Sequence, residues 1–387
     1  MNIDDTKLPK KRFVAVDVKN LGIQGYGDAN NYPQRIAQLL SSSTNAKTCA
    51  SRYAKFVRGN GFADTTFYTS IVNSKGQTCD TLLRLCSEDL ATYGGFALHI
   101  NYNVLCEVVS VSHVPFEHCR LSMEDDNGYI ATIAVHPDWT QESGKKSIKK
   151  PSKESVDYID VFNPRKEVVA AQIERAGIEC YKGQVMYVTS DGDLEYPTPK
   201  YDSAVTDIST DEGLANVRCR NVRNNFLPSG MWVYPKPRLM EGDKAPAGGF
   251  DPEMFKQFQG DMNACKIASV GLEEGDTPPQ FVAFPTKNYD KDYTVTKDAT
   301  VEEIYTAFEQ EVFLRIRNGS LYFSDEIIAG AFKYYNAVTS DERNLMEQAF
   351  KAAFHRFAYH INQTNDYSLI PLKYAVDIIQ QTTNNAQ

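Results

Sequence analysis

The order of apolar and polar residues predicts two helices near the start of this chain. Residues 33–41 read as a short helix with Pro33 in its first turn, where a missing N–H costs nothing. A second helix is predicted from about Thr44 to Arg58, because at about 100° per residue its apolar and basic positions fall on opposite arcs. Gly59 follows as the expected C-terminal stop.

The next part of the chain combines one helix with several strands. The segment "DTLLRLCSEDLATY" predicts a helix that Gly94 and Gly95 close. The strands expected after it are "FALHINYN", "LCEVVSVSHV", "YIATIAVH" after a turn at "DDNG", "VDYIDVFN" and "CYKGQVMYVTS". The helix and the first three of these strands predict an α+β meander. The polar loop "SGKKSIKKPSKES" interrupts it before the last two strands.

The last part of the chain is mainly helical by pattern. Helices are predicted at about 202–225 and 252–266, with a short strand after "LPSG" and another at "PPQFVAFP". Thr300 and Glu303 have capping-box spacing and predict the start of a helix that runs to 317. Thr339 and Glu342 repeat the signal for a helix with an apolar stripe as far as Ile361.

Composition narrows the class of protein. The chain has 387 residues, 42% of them apolar and 24% charged, which is typical of folded proteins. Its net charge of −9 weighs against a protein whose main task is to grip phosphates. There is no long apolar run and no secretory leader, so we expect a soluble, unsecreted protein that does not enter membranes. Eight scattered cysteines are expected to be reduced thiols.

Signatures of catalysis are missing from the sequence. It has no P-loop, dinucleotide fingerprint, nucleophile elbow or zinc-protease motif, so we expect no catalytic, cofactor-binding or metal-binding residues. His113, His118 and Cys119 lie close together and suggest metal ligands. The segment looks extended, however, so neighbouring side chains point to opposite faces, and a fourth ligand is not evident.

The segment "RIAQLLSSSTNAKTCASRYAKFVRGNGF", 35–62, has the rhythm of a helix-turn-helix. It carries five basic residues and no acidic one up to position 58, so a sequence-specific DNA-binding regulator is one interpretation. Arginines in "NVRCRNVRNN" could contact phosphate or a partner carboxylate, or simply form a solvated helix face.

Four segments in order resemble bacteriophage portal proteins of the HK97-like family of tailed phages and prophages. They are "STNAKTCASRYAKFVRGNGF", "DLATYGGFALHINYN", "YPTPKYDSAVTDISTDEGLANVRCRNVRNNFLPSGMWVY" and "FEQEVFLRIRNGSLYFSDEIIAGAFKYYNAVTSDERNLMEQAFKAAF". Together they span about residues 30–360. The resemblance rests on their order and spacing, since none of them is a chemical signature.

The resemblance implies a portal-type α+β fold with six regions. These are an N-terminal α+β wing (1–200), a stem helix (201–227), a small α/β clip (228–298), a second stem helix (299–317), a tunnel-loop and wing region (318–338), and a C-terminal helix with a small crown (339–387).

The resemblance also implies a function that is structural. Portal proteins form a ring, usually of twelve subunits, at one vertex of the capsid. Double-stranded DNA passes through the ring without sequence specificity during packaging and ejection. The implied partners are further copies of the chain, the terminase large subunit, a head-tail adaptor, and capsid and scaffold proteins. The implied location is the virion, after assembly in the host bacterial cytoplasm.

The charge of the channel wall determines how strongly such a ring would bind the DNA that passes through it. A basic bore would hold DNA through many phosphates, whereas a neutral or acidic bore lets it slide. We therefore expect carboxylates of the 300–317 helix to face or flank the bore. The residues that the resemblance places near the tunnel loop are further candidates for this lining. The candidates are Glu302, Glu303, Glu309, Glu311, Asn318, Gly319 and Ser320.

The basic arc of the second helix is expected to contact neighbouring subunits or the capsid. The candidates for this assembly face are Lys47, Arg52, Lys55 and Arg58, with Arg218, Arg220 and Arg223 from the later helix. Two alternatives stay open: the helix-turn-helix regulator, and another ring-forming head or tail protein of a phage.

Overall fold

The architecture is that of a computed structural model. It describes residues 13–18, 21–140, 148–192, 195–223, 230–235, 267–272, 280–283, 289–321 and 324–374. The chain divides into two units. The larger unit comprises Pro9–Val205 and Ile304–Gln387, and the smaller comprises Met1–Leu8 and Thr206–Glu303.

The elements mix helices and strands, which confirms the α+β class. The strands are β1 (Phe13–Asp17), β2 (Gln24–Tyr26), β3 (Gly95–Tyr102), β4 (Val108–Val114), β5 (Cys119–Leu121), β6 (Thr132–Val135), β7 (Asp157–Val161), β8 (Gln184–Thr189), β9 (Gly230–Pro235), β10 (Ile267–Leu272) and β11 (Gln280–Ala283). The helices are α1 (Tyr32–Ser42), α2 (Thr44–Arg58), α3 (Thr65–Thr69), α4 (Cys79–Tyr93), α5 (Lys166–Ala176), α6 (Val205–Arg223), α7 (Tyr289–Ala307), α8 (Glu311–Arg317), α9 (Asp325–Val338) and α10 (Ser340–Phe354).

A six-stranded sheet with the order β4-β3-β8-β7-β6-β5 forms the centre of the larger unit. Its neighbours are antiparallel except β7 and β8, which are parallel. Parallel neighbours need a crossover connection, and α5 supplies it. The sequence pattern missed α5, which buries only Val169 and so carries a weak apolar stripe. The meander expected for the first three predicted strands is wrong, because β6 does not lie beside β4 in the sheet.

Helix α2 has the predicted bounds and the predicted buried arc. Ser43 caps its start by accepting a hydrogen bond from the amide of Ala46 at 3.1 Å. Its buried residues are Ala46, Cys49, Ala50, Tyr53, Ala54, Phe56 and Val57. The helix ends at Gly59, where a Cβ would lie 2.1 Å from the carbonyl oxygen of Ile370, so only glycine fits.

A fully buried arginine, Arg120, fixes one end of the sheet to the segment before α1. It lies in β5 and has no exposed surface. Its guanidinium donates to the side-chain and backbone oxygens of Asn30 at 2.6 and 2.9 Å and to the backbone oxygens of Glu117 and Cys119 at 2.9 and 2.7 Å. It also lies over the ring of Tyr26. Burial lowers the pKa of this group, but the surrounding oxygens satisfy its donors.

The smaller unit contains two long helices and a three-stranded sheet. The strand order is β10-β9-β11, with β10 parallel and β11 antiparallel to β9. The hydroxyl of Tyr293 in α7 donates to the backbone oxygen of Leu214 in α6 at 3.3 Å. The two helices therefore lie beside each other within this unit. The predicted helix at 252–266 lies outside the described residues.

The prediction of one helix from 300 to 317 is wrong, because the helix begins earlier and is interrupted before 317. Helix α7 begins at Tyr289, so Thr300 and Glu303 lie inside it and form no capping box. The helix ends at Ala307, Glu309 adopts a positive φ of 55°, and α8 begins at Glu311. A capping-box spacing is a local signal that also occurs inside helices, and the break depends on contacts from elsewhere in the chain.

The C-terminal helix is confirmed over 340–354 and is shorter than expected. The hydroxyl of Thr339 donates to the carbonyl of Tyr335 at 2.9 Å and caps no amide, so the second capping box is also absent. The helix ends at Phe354 because the chain then pairs with the start of β4, through Val108 on both its amide and its carbonyl. In the part of the chain that the structure describes, no helix is both long and apolar enough to cross a membrane.

Candidate interaction surfaces and the elbow between two helices

In the larger unit, the segments that lead to and from the smaller unit lie side by side. Residues 200–204 form a 3-10 turn before α6, and residues 308–310 follow α7. The ring of Tyr201 stacks on that of Phe308 with their centroids 5.2 Å apart, and both residues are buried. The hydroxyl of Tyr201 donates to the backbone oxygen of Thr92 in α4 at 2.6 Å. Both segments are thus attached to the helical layer around α4.

Lys200 adds ion pairs to the contacts that hold these two segments in the larger unit. Its Nζ lies 2.7 Å from Glu342 Oε1 and 3.8 Å from Glu309 Oε2. The hydroxyl of Tyr53 donates to the same Glu342 oxygen at 3.0 Å, and burial together with this carboxylate raises the pKa of Tyr53. The cation therefore connects the turn before α6 with α10 and with the residue that follows α7.

Gln310 forms the elbow between α7 and α8. Its side chain is fully buried, and its Nε2 donates to Cys49 O at 2.9 Å and to the hydroxyl of Tyr335 at 2.7 Å. Its Oε1 accepts from Arg52 Nη1 at 2.7 Å. The Tyr335 hydroxyl in turn donates to Phe308 O at 2.9 Å. One amide side chain therefore joins α2, α9 and the turn between α7 and α8.

The four basic residues predicted on α2 have different surroundings. Arg52 is half-buried, bonds Gln310, and holds its guanidinium 4.7 Å from the ring centroid of Phe313. Lys47 and Lys55 are exposed, and Arg58 is half-buried. Arg52 therefore stabilises contacts inside the larger unit, whereas Lys47, Lys55 and Arg58 form the outer edge of the helix.

Two open grooves flank this edge of α2. The first groove, between α2 and helices α1 and α4, has a volume of about 480 Å³. Its floor and rim include Leu40, Ser41, Lys47, Ala50, Ala54, Lys55, Arg58, Arg84 and Ala91. The second groove has a volume of about 510 Å³ and is lined by Lys47, Thr48, Ser51, Arg52, Lys55, Phe56, Phe313, Phe332 and Leu372. The rim of the first groove also carries Glu88, which pairs with Arg84 at 2.9 Å. Both grooves have small or aromatic apolar floors below rims with more cations than anions, which suits contact with other polypeptide segments.

The candidates for the DNA tunnel are divided between the two units. Glu302 and Glu303 are exposed on the part of α7 that belongs to the smaller unit. Glu309 is exposed at the elbow and Glu311 is half-buried at the start of α8. Asn318, Gly319 and Ser320 follow α8 and are exposed, with Gly319 in a left-handed turn.

The arginines of α6 lie in the smaller unit. Arg218 is exposed and Arg220 is half-buried, while the side chain of Arg223 lies outside the described residues. The basic edge of α2 belongs to the larger unit.

The histidines of "HVPFEHC" do not form a metal site. His113 Nε2 lies 2.7 Å from Asp89 Oδ2, in β4 beside α4. Burial lowers the pKa of His118 to about 4 and raises that of the Cys119 thiol to about 12. Among the residues that can be described, no group of three metal-ligating side chains occurs. The described residues therefore offer no support for metal ligands at His113, His118 and Cys119.

The helix-turn-helix interpretation also fails on geometry. The motif needs a turn of about three to four residues between its helices. Here Ser41 and Ser42 are the last residues of α1, and Ser43 alone separates it from α2. The serine-rich stretch is helix rather than turn, so the spacing that places a recognition helix in a major groove is absent.

The residues that fix this part of the structure were not found from the sequence. Gln310 and Lys200 belong to no motif, and each is identified by partners far away in the chain. A buried glutamine between two helical stretches resembles an ordinary polar helix position, so the sequence contained no local signal for its role.

No protein-family model and no curated protein matches the chain, but solved structures do. A chain from the neck of an empty gene transfer agent (GTA) particle, computed with C6 symmetry, has a TM-score of 0.53 at 12% identity, covering 97% of this chain and 90% of that one. The neck of the native GTA particle, computed with C12 symmetry, has a chain with a TM-score of 0.49 at 13% identity, covering 92% and 89%. An HK97 family phage portal protein from Corynebacterium diphtheriae has a TM-score of 0.34 at 10% identity, covering 89% and 96%.

The chain therefore has the fold of a protein from the neck of a GTA particle over nearly its whole length. At this level of identity the comparison concerns the fold.

Replacing Gln310 tests the elbow. Gln310→Ala removes the partner of Arg52 and Tyr335 in a buried site, so the free energy of unfolding should fall by about 2 kcal/mol or more. Urea unfolding followed by circular dichroism measures the change. Gln38→Ala on the exposed face of α1 is the matched control and should change stability by less than about 0.5 kcal/mol. Equal stability of the two variants would show that the amide contributes nothing to the elbow.

Proposed function

We propose that this chain is the subunit of a phage portal ring, which sits at one capsid vertex and conducts double-stranded DNA during packaging and ejection. The observation that carries the proposal is a fold shared over 97% of the chain with a protein from a symmetric particle neck. The sequence resemblance to portal proteins supports it independently. The proposal includes a role as docking platform for terminase and head-tail adaptors, and it assigns no catalytic step to this chain.

The six regions inferred from the sequence enter the proposal with one revision. Helices α6 and α7 are the proposed stem, and they lie beside each other in the smaller unit. The second stem helix is α7, which begins at Tyr289 and ends at Ala307, so residues 311–317 form a separate helix. The proposed wing is the six-stranded sheet with the helices around it, and the clip is the region of β9, β10 and β11.

The attachment of the two stem segments suits this role. A conduit that guides DNA must hold its inner helices against force along the axis. The Tyr201–Phe308 stack and the Lys200 ion pairs fasten the start of α6 and the end of α7 to the same helices of the larger unit. The segments that lead into and out of the proposed stem are thus held together within the larger unit.

Electron microscopy of the purified chain in negative stain tests the function. Closed rings with a central hole wide enough for duplex DNA are the expected result, and they should form without a nucleotide. A monomer or dimer at every concentration and salt, also in the presence of the capsid protein, would contradict the proposal. A ring without an open axial hole would favour another head or tail protein of a phage.

The outer edge of α2 is the proposed assembly face. Lys55→Glu combined with Arg58→Glu places two anions on the rim of the first groove and should reduce ring formation strongly, while the fold is kept because Lys55 is exposed and Arg58 is only half-buried. Lys75→Glu, at an exposed loop before α4, is the matched control. Sedimentation velocity measures the fraction of rings. Rings in normal yield from the double variant would remove the assembly role.

The carboxylates of α7 are the proposed sliding surface for DNA. Glu302→Lys with Glu303→Lys should increase the affinity of assembled rings for duplex DNA and steepen its loss with salt, since each new phosphate contact releases counterions. The matched control, Glu302→Gln with Glu303→Gln, removes the charge without adding a cation and should change the salt slope less. Fluorescence anisotropy with labelled duplex measures both. DNA binding identical in the lysine variant and the wild type would place these residues away from the bore.

A further inference from the structure

The second groove has the features of a site for an extended peptide. The rings of Phe56, Phe313 and Phe332 form its floor, with centroids 5.0 to 6.3 Å apart. Lys47 and Lys55 lie exposed along its rim. An apolar floor below a cationic rim favours an occupant with aliphatic side chains and an acidic group.

The C-terminal segment of the described chain leads to this groove. Ile370 pairs with Asn60 and Gly61 just beyond the end of α2, with hydrogen bonds of 2.8 and 2.9 Å. The backbone oxygen of Leu372, which lines the groove, then accepts from Asn336 Nδ2 at 2.8 Å. The path therefore runs from the end of α2 along α9.

The described chain stops beside the groove. The ring of Tyr374 packs on that of Phe332 with centroids 5.5 Å apart, and its hydroxyl donates to Asp325 Oδ1 at 3.2 Å. The groove extends along α2 from Lys55 and Phe56 to Lys47 and Thr48. The next residues of the chain thus begin at the edge of the groove.

The sequence after Tyr374 matches the chemistry of the groove. It reads "AVDIIQQTTNNAQ", in which the first five residues are four aliphatic ones and a single aspartate. The following eight, 380–387, contain no charge and one alanine among polar residues. Five extended residues reach at most about 18 Å, which is enough to run along three turns of a helix. Within 375–387, the aspartate and all but one of the apolar residues therefore lie in 375–379, directly after Tyr374.

We infer that residues 375–379 of the same chain dock in the second groove. Val376 and Ile378, which lie on one side of an extended segment, cover the phenylalanine floor, and Asp377 on the opposite side pairs with the lysine rim. The docked tail closes the side of α2 that faces α8 and α9. It leaves the first groove, on the other side of α2, open for the proposed assembly contact, so the two sides of one helix have separate occupants.

Site-specific photo-crosslinking of the full-length chain tests the docking. A benzophenone amino acid at Thr48, exposed in the second groove, should form a cross-link to the peptide that contains 375–379, within one chain. The same amino acid at Ser41, exposed in the first groove, is the matched control and should not reach that peptide. Mass spectrometry of the digested product identifies the linked segment, and gel mobility separates one-chain from two-chain products.

Two tail variants make the result specific. Val376→Asp with Ile378→Asp should lower the yield from position 48 to the level seen from position 41, because carboxylates are not tolerated on an aromatic floor. Deletion of 380–387 keeps the docking segment and should leave the yield unchanged. A tail cross-link of equal yield from both positions, none from position 48, or a product that joins two chains would each overturn the inference. The readout needs no ring, so it is independent of the proposed portal function.

Discussion

The buried amide of Gln310 is the constraint on which the arrangement of the helical layer depends. Its three hydrogen bonds reach α2 twice and α9 once. Leaving such a group unpaired in the interior costs about 1–3 kcal/mol, so the side chain holds its place and the backbone has to turn around it. The positive φ of Glu309 and the separation of α7 from α8 follow from that turn. A tertiary contact thus overrides a helical pattern that continues through 317.

The same turn brings together groups that a continuous helix would carry apart. Phe308 stacks on Tyr201 and Glu309 lies near Lys200 where the chain leaves α7. The segments before α6 and after α7 therefore share one set of contacts in the larger unit.

Features set by neighbouring residues could be predicted from the sequence, and features set by distant residues could not. The bounds of α2, its buried arc and the strand β3 follow from local periodicity and from caps such as Ser43 and Gly94. The crossover α5 was missed because it buries one side chain, and the capping box at Thr300 was wrong because its spacing also fits a helix interior. Among the candidate site residues, Arg52 could not be separated from Lys55, since both lie on the same arc and only Gln310 distinguishes them.

The basic side chains of α2 have surroundings that favour protein contacts over DNA binding. A DNA-reading helix needs its cations free along one side, whereas here Arg52 turns inward and the remaining cations stand on the rims of two grooves with apolar floors. Phosphate binding requires no such floors, because its energy comes from charge and counterion release. Apolar floors below cationic rims favour polypeptides with aliphatic and acidic side chains. The basic segment that first suggested a DNA reader is therefore better explained as a helix with protein contacts on both sides, in a chain whose net charge is negative.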